Sequence, residues 1–486
     1  MMNAEGLPPG LGRGVYANRT LNLRAVKAIG YDMDYTLIHY HIEEWERCAY
    51  RYLQQKLVER GWPVAHYSFV PDFAIRGLVI DLELGNLVKA NRFGYVTRAM
   101  HGRRQLSYEE QRAEYSRTFV ELGEERWLFL NTFFSLSEAC MYAQAVEDLD
   151  AGRMPPGLTY ATLFRGIHSS LDEAHMDGVL KAEIARRPED FVDLDPDCVR
   201  TLMEQAEAGK RVVLITNSEW PFTRDIMHYA FSRHLPAGVA WQDLFDLVVV
   251  AAGKPGFFTG QHPIFAVVDA VGHLLPVSSI TSEYKVYYGG NAGLVEEYLG
   301  LSGSDILYVG DHVYADARLS KAIRRWRTAV IVRELEAEIA ALAGFSAQQA
   351  QLDTLMQQKA EREQRMSELR LAMQGVRNGR PSALGSLGAL QNELNRLREE
   401  IVAIDSQSAP LAIASGALVN PFWGPLMRAG NDKSHMARQI ERHADVYTSR
   451  VSNFAYATPY AYLRAYRGAL PHDLCLTQWG ALDPTE

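Results

Sequence analysis

In the segment Gly30-Tyr31-Asp32-Met33-Asp34-Tyr35-Thr36-Leu37, two carboxylates stand at i and i+2 just after the apolar run 25–29. On an extended strand end that spacing turns both side chains to one side. Core packing rewards no such pair of like charges; a cation, a shared proton or a chemical task does. Phosphoryl transfer fits. Asp32 would attack a phosphorus atom as a carboxylate nucleophile. Asp34 would hand a proton to the leaving oxygen, then take one from the water that hydrolyses the aspartyl-phosphate.

Other apolar runs also end in reactive residues. Residues 211–215 (RVVLI) end at Thr216-Asn217-Ser218, and 247–252 (LVVVAA) at Gly253-Lys254-Pro255. Residues 306–309 (ILYV) end at Gly310-Asp311-His312, with Asp316 close behind, and 328–332 (TAVIV) follow. Helical patterns lie between them, as at 196–208 and 291–299. Apolar strands alternating with helices predict an α/β fold with a Rossmann-like parallel sheet, whose ligands sit outside the carboxyl ends of the strands. A phosphate ester there would meet the Thr216 hydroxyl, the amides of Asn217 and Ser218, and the point-like ammonium of Lys254. Asp311, Asp32 and the main-chain carbonyl of Asp34 would take Mg²⁺, which seeks oxygen ligands, with Asp316 supporting the ion and Lys254. Singly, each motif has a plain structural reading: an N-capped turn at 216–218, a surface lysine at 254. Their shared position at four strand ends is what points to a site.

The strand reading divides the chain into residues 1–40, carrying the first core strand; 41–195, an inserted α/β cap; 196–345, the catalytic core continued; 346–407, a helical hairpin arm; and 408–486, a segment packing on the core. The cap contains strand-like pieces at 77–80 and 86–88 and helical ones at 107–121 and 136–149. Residues 253–288, rich in Gly, Pro, Val and Thr, read as turns and hairpins. In the arm, Leu387, Leu390, Leu394, Leu397, Ile401 and Ile404 keep a 3–4 spacing. Leu352, Leu355, Met366, Leu369 and Met373 do the same, which predicts two antiparallel helices over 348–406 around a loop at 377–388. The arm reads as an exposed helical projection or an oligomer contact.

Composition narrows the class. A formal net charge of −9 argues against a nucleic-acid or anionic-membrane binder. The first residues carry no hydrophobic leader and read as loosely held, and no apolar run reaches membrane-spanning length. Cys48, Cys140, Cys198 and Cys475 are scattered, which speaks against zinc or a disulfide framework and for a reduced cytoplasmic protein.

The order DxDxT, TNS, GK, GDxxxxD resembles the haloacid-dehalogenase-like phosphohydrolases. VYANRTLNLRAVKAIGYDMDYTLIHY, IRGLVIDLELGNLVKAN, LFLNTFFSL, LITNSEWPFT, GKPGFF, DILYVGDHVYADARLSK and WRTAVIV are similar to the cytosolic purine 5′-nucleotidases that prefer IMP and GMP. The likeness runs from about residue 14 to about 335 and returns weakly at 420–460. It implies Asp32 as nucleophile and Asp34 as acid/base. It implies phosphate contacts from Thr216, Asn217, Ser218 and Lys254, and Mg²⁺ at Asp32, Asp34, Asp311 and Asp316. For the nucleoside it implies Phe134, His168, Asp172, His175 and Lys181. Ser135, His168 and Met176 stand where the family carries Asn, Arg and Tyr. Hydrolysis of purine nucleoside monophosphates, transfer of the phosphoryl group to another nucleoside, and a homo-oligomer (dimer or tetramer) are further implications. Animal members are activated by ATP through a basic helix after GDHxxxD. Ala322 replaces a lysine there, and the acidic tail of those enzymes is missing. Two other readings compete: a phosphatase of the same fold for another phosphomonoester, and a non-catalytic interaction protein using the arm.

Overall fold

The computed structural model describes residues 10–466 and Gly468; the first nine residues of the Pro/Gly-rich N-terminal dozen and Cys475 lie outside them, while Leu11–Arg13 form a 3₁₀ turn. Ten strands form the main sheet: β1 (Val15–Ala17), β2 (Ala28–Tyr31), β3 (Arg211–Ile215), β4 (Leu247–Val250), β5 (Ile264–Val267), β6 (Leu274–Val277), β7 (Val286–Gly289), β8 (Ile306–Gly310), β9 (Arg327–Ile331) and β10 (Val446–Thr448). Their spatial order is β1-β10-β9-β8-β2-β3-β4-β7-β5-β6. From β10 to β7 all neighbours are parallel. β1 joins antiparallel at one edge and the β5–β6 hairpin at the other. Every residue of β2, β4 and β8 is buried, as a sheet covered on both faces requires. The chain leaves β2 toward β3 on one side and returns as β8 on the other, so β2 marks a topological switch point where a ligand crevice opens.

The cap is inserted between β2 and β3. It contains helix Ile42–Glu59 and a five-stranded sheet that includes Asn86–Ala90 and Val96–His101. Helices Leu136–Asp150, Tyr160–Met176 and Val179–Arg186 complete it. Its two ends meet as a short ribbon, Val192 pairing with Tyr40 and Asp193 with His39. The architecture is therefore a Rossmann-like α/β core with an inserted α/β cap and a helical arm.

Four local expectations need correction. The first core strand begins at Ala28, because Leu23–Ala25 form a 3₁₀ turn that the Asn22 side chain caps. The helix expected over 107–121 stops at Tyr115, since Val120 donates its N–H to Gly94 O instead (2.8 Å). The arm helices are Ser346–Arg377 and Leu387–Gly416, so the second runs past residue 407 with Pro410 in its interior. Segment 408–486 does more than pack on the core. Its strand β10 is part of the sheet, and the buried Asp445 beside it is paired with Lys321 (2.6 Å) and Arg327 (3.0 Å).

Candidate active site

Asp32 follows β2, and its N–H donates to Val309 O across the sheet (2.9 Å). The chain then turns tightly: the N–H groups of Thr36, Leu37 and Ile38 converge on Met33 O (3.2, 2.9 and 2.9 Å). The turn puts Tyr35 at φ +54°, a left-handed conformation that an aromatic residue rarely adopts. Its ring is wedged between Phe133 (4.7 Å) and Phe134 (5.0 Å), which supports the conformation. Asp34 thereby faces the crevice, where its two oxygens accept from Tyr40 Oη and Ser218 Oγ, both at 2.6 Å.

Lys254 closes the site from the end of β4. Its Nζ lies 2.8 Å from Asp32 Oδ1 and 2.9 Å from Asp316 Oδ1, and it donates to Tyr308 Oη (3.1 Å). All three ammonium donors are thus engaged. The lysine backbone is clamped by Asn217, whose side chain accepts from Lys254 N (2.7 Å) and donates to Lys254 O (2.9 Å). Tyr308 reaches over β2 because residue 30 is glycine; a Cβ there would come within 2.8 Å of the tyrosine ring. Thr216 is fully buried, and its Oγ1 accepts from Ser218 N (3.0 Å).

Asp32, Asp311 and Asp316 each present one oxygen, all within 4.8 Å of one another. The buried Asp311 Oδ2 has no hydrogen-bond partner among the described residues. A carboxylate with an oxygen short of a hydrogen bond, clustered with two more carboxylates, fits a hard divalent cation such as Mg²⁺. Gly310 is required beside it, since a side chain there would run into the Asp316 carboxylate. The charge balance agrees. Burial pushes the Asp32 carboxyl up to about 7, with Asp316 and Asp34 adding to the shift and Lys254 opposing it. Burial also raises Asp311. Lys254 is held well above its ordinary value because Asp316 and Asp32 outweigh its burial. A bound cation would relieve this crowding of carboxylates.

The cap side is looser. A cavity of about 650 Å³ opens beside Asn217, lined by His175, Met176, Lys181, Phe222 and Asp225. Lys181 Nζ donates to Ser218 Oγ (3.0 Å), linking the cap to the Asp34 loop. Phe134 packs against Tyr35, Trp45 (5.3 Å) and the edge of His175 (6.1 Å), so most of its ring belongs to the core. His168 does not line the cavity. It pairs through Nδ1 with the buried Glu138 (2.7 Å), stacks on Phe164, and has Asp172 at 3.6 Å from Nε2. The hydrogen bond to Glu138 lifts the His168 pKa to about 8, with burial opposing. His175 moves the other way, to about 4, mainly through burial and the nearby Lys181.

Sequence reasoning missed Tyr40, Tyr308, Arg76 and Glu138. Tyr40 carried a usable signal, standing a short ribbon away from Asp34; the others act through long-range contacts that no local pattern announces.

A family model described as "5′ nucleotidase family" matches residues 15–475. The chain is 26% identical over 478 residues to a 5′-nucleotidase domain-containing protein of Dictyostelium discoideum, covering 95% of this chain and 75% of that one. It is 27% identical over 460 residues to 5′-nucleotidase domain-containing protein 2 of Homo sapiens, covering 90% and 81%. Among solved structures it is similar to an archaeal β-phosphoglucomutase from Pyrococcus sp. strain ST 04, with 12% identity and a TM-score of 0.30 over 63% of this chain and 87% of that one.

Proposed function

The chain belongs to the 5′ nucleotidase family, and from that premise we propose that it is a Mg²⁺-dependent 5′-nucleotidase acting on purine nucleoside monophosphates of the IMP/GMP kind through an aspartyl-phosphate. Its coarser activity, hydrolysis of phosphoric monoesters, follows from the family together with the buried carboxylate cluster. The observation that supports the aspartyl-phosphate chemistry is the position of Lys254 Nζ, between Asp32 and Asp316 at the switch point of the sheet; the purine preference rests on the family resemblance.

In this reading an Asp32 oxygen attacks phosphorus while the bond from phosphorus to the nucleoside oxygen breaks. The departing oxygen takes its proton from Asp34, which Tyr40 and Ser218 orient. The Asp34 carboxylate then removes a proton from the water, or from the hydroxyl of a second nucleoside, that attacks phosphorus as the bond from the Asp32 oxygen to phosphorus breaks and frees the Asp32 carboxylate. Lys254 neutralises the transferring group, and Thr216, Asn217 and Ser218 line the turn around it. Asp32, Asp311, Asp316 and the Asp34 carbonyl would hold Mg²⁺, which supplies charge stabilisation to the phosphoryl oxygens when bound. In this reading the nucleoside occupies the cavity at His175 and Lys181, while Phe134, His168 and Asp172, implied as nucleoside contacts by the family resemblance, stand outside its lining. The reading also makes the protein a cytoplasmic homo-oligomer, dimer or tetramer, which size-exclusion chromatography with light scattering tests. Among the described residues no helix is long and apolar enough to cross a membrane.

One observation favours a second reading, a phosphatase for another phosphomonoester: His168 faces Glu138 and Asp172 and lies outside the cavity lining. Steady-state rates with IMP, GMP, AMP, pyrimidine monophosphates and sugar phosphates, each with and without Mg²⁺, decide. The proposal expects IMP or GMP to lead and activity to vanish with EDTA. A sugar phosphate in the lead would replace the substrate and leave the chemistry in place.

A further inference from the structure

Arg76 enters the cap just before its strand Val79–Asp81 and is almost completely inaccessible to solvent (1%). Its Nε and Nη2 form a two-pronged pair with Glu334, at 2.7 and 2.5 Å. Glu334 stands on the turn after β9. The remaining nitrogen, Nη1, donates to the main-chain oxygen of Asp311 (3.3 Å) and lies 3.8 Å from Asp311 Oδ2. The Phe133 ring supports the guanidinium from below, 4.1 Å from ring centre to Cζ. One planar side chain thus ties together the cap entry, the turn after β8 and the turn after β9.

The distances separate two jobs. At 3.3 Å Arg76 grips the backbone of Asp311; at 3.8 Å it makes no hydrogen bond to the carboxylate. Glu334 occupies the fork that would otherwise close on Asp311. Asp311 Oδ2 is left without a hydrogen-bond partner, and the Asp311 carboxylate lies within reach of those of Asp32 and Asp316. We propose that Arg76 is a positioning residue: it docks the cap on the core and fixes Asp311 so that its free oxygen completes the cation cradle, while Glu334 keeps the guanidinium from capturing that oxygen. This rests on reading the three carboxylates as a Mg²⁺ site. A lysine cannot replace Arg76, because a point charge on a flexible stem cannot hold Glu334 and the Asp311 carbonyl at once.

The test is Mg²⁺ titration calorimetry on the full chain, with thermal unfolding in EDTA and kinetics alongside, for wild type, Arg76→Lys, Glu334→Gln and Asp311→Asn. Arg76→Lys keeps the charge and loses the fork; Glu334→Gln frees the guanidinium to close on Asp311. Both are expected to bind Mg²⁺ about tenfold more weakly or worse, with kcat recovering at high Mg²⁺ and the nucleotide KM unchanged. The partly exposed Glu334 guards against a misfolded Arg76 variant. A lowered melting temperature with wild-type Mg²⁺ affinity in both variants would assign Arg76 a structural role alone and overturn the proposal. If wild type binds Mg²⁺ and Asp311→Asn does not, while the other two bind normally, this inference fails and the metal reading stands. If wild type binds no Mg²⁺, both fall.

Discussion

The two ends of the crevice are built differently. At the sheet end Asp32, Asp316 and Lys254 are buried, and each is fixed by groups from another strand end. At the cap end Met176 is 78% exposed, and the side chain of His168 is about half exposed (51%) and held by cap residues alone. A sheet edge fixes directions because every strand end is already set by its neighbours' hydrogen bonds. A helix face on an inserted cap has no such frame. The groups proposed for catalysis are therefore preorganised, and the groups expected to choose the leaving group are free to differ.

Substitutions at the sheet end should have the largest effects. Asp32→Asn should lower turnover by about 10⁴-fold or more with the fold retained by circular dichroism; activity within tenfold of wild type would remove the nucleophile. Lys254→Met should cost about 10²–10³-fold in kcat. It should also lower the melting temperature, because a buried carboxylate pair loses its counter-ion, at a cost of about 3–5 kcal/mol. A variant with unchanged stability would contradict the locked geometry that distinguishes this end.

Tyr40→Phe probes the border between the two regions. The hydroxyl donates to Asp34 across the base of the cap ribbon. Removing one hydrogen bond to an ionised group costs about 1.5–3 kcal/mol, or about 10–100-fold in kcat/KM. A kcat/KM within twofold of wild type would show that Tyr40 only packs.

What could be read from the sequence divides along the same line. The strand ends were legible because a buried parallel strand leaves a local mark, a short apolar run closed by polar residues. That mark places Asp32, Thr216, Lys254 and Asp311 on one edge of one sheet. The carboxylate pair at residues 32 and 34 was legible for the same reason. The partners that lock the edge were not. Tyr308 looks like any other core residue of β8, and its grip on Lys254 depends on the missing side chain at Gly30 in another strand. Arg76 and Glu334 are 258 residues apart. At the cap end a family resemblance proposed His168, but the salt link to Glu138, which decides what that imidazole can donate, comes from a separate helix.

The smallest predicted effect is the one that tests whether the cap end selects at all. With its pKa lifted to about 8, His168 is an imidazolium at neutral pH: Nδ1–H serves Glu138 and Nε2–H remains as a donor. As pH rises through about 8 the ring loses a proton, Glu138 retains the Nδ1–H, and Nε2 becomes an acceptor. The sign for stability follows: the pair's contribution is complete below the ordinary value of 6.5 and is lost as pH climbs through about 8. For a substrate, the donor that could meet a 6-oxopurine oxygen disappears over the same range, while an acceptor suited to an exocyclic amine appears. The ratio of kcat/KM for IMP to that for AMP should therefore fall about 3–10-fold between pH 7 and 9.5, the worth of one part-exposed hydrogen bond. His168→Gln should flatten that dependence, because an amide neither gains nor loses a proton. A ratio that ignores pH in the wild type would place His168 outside recognition and leave its link to Glu138 as scaffolding for the cap.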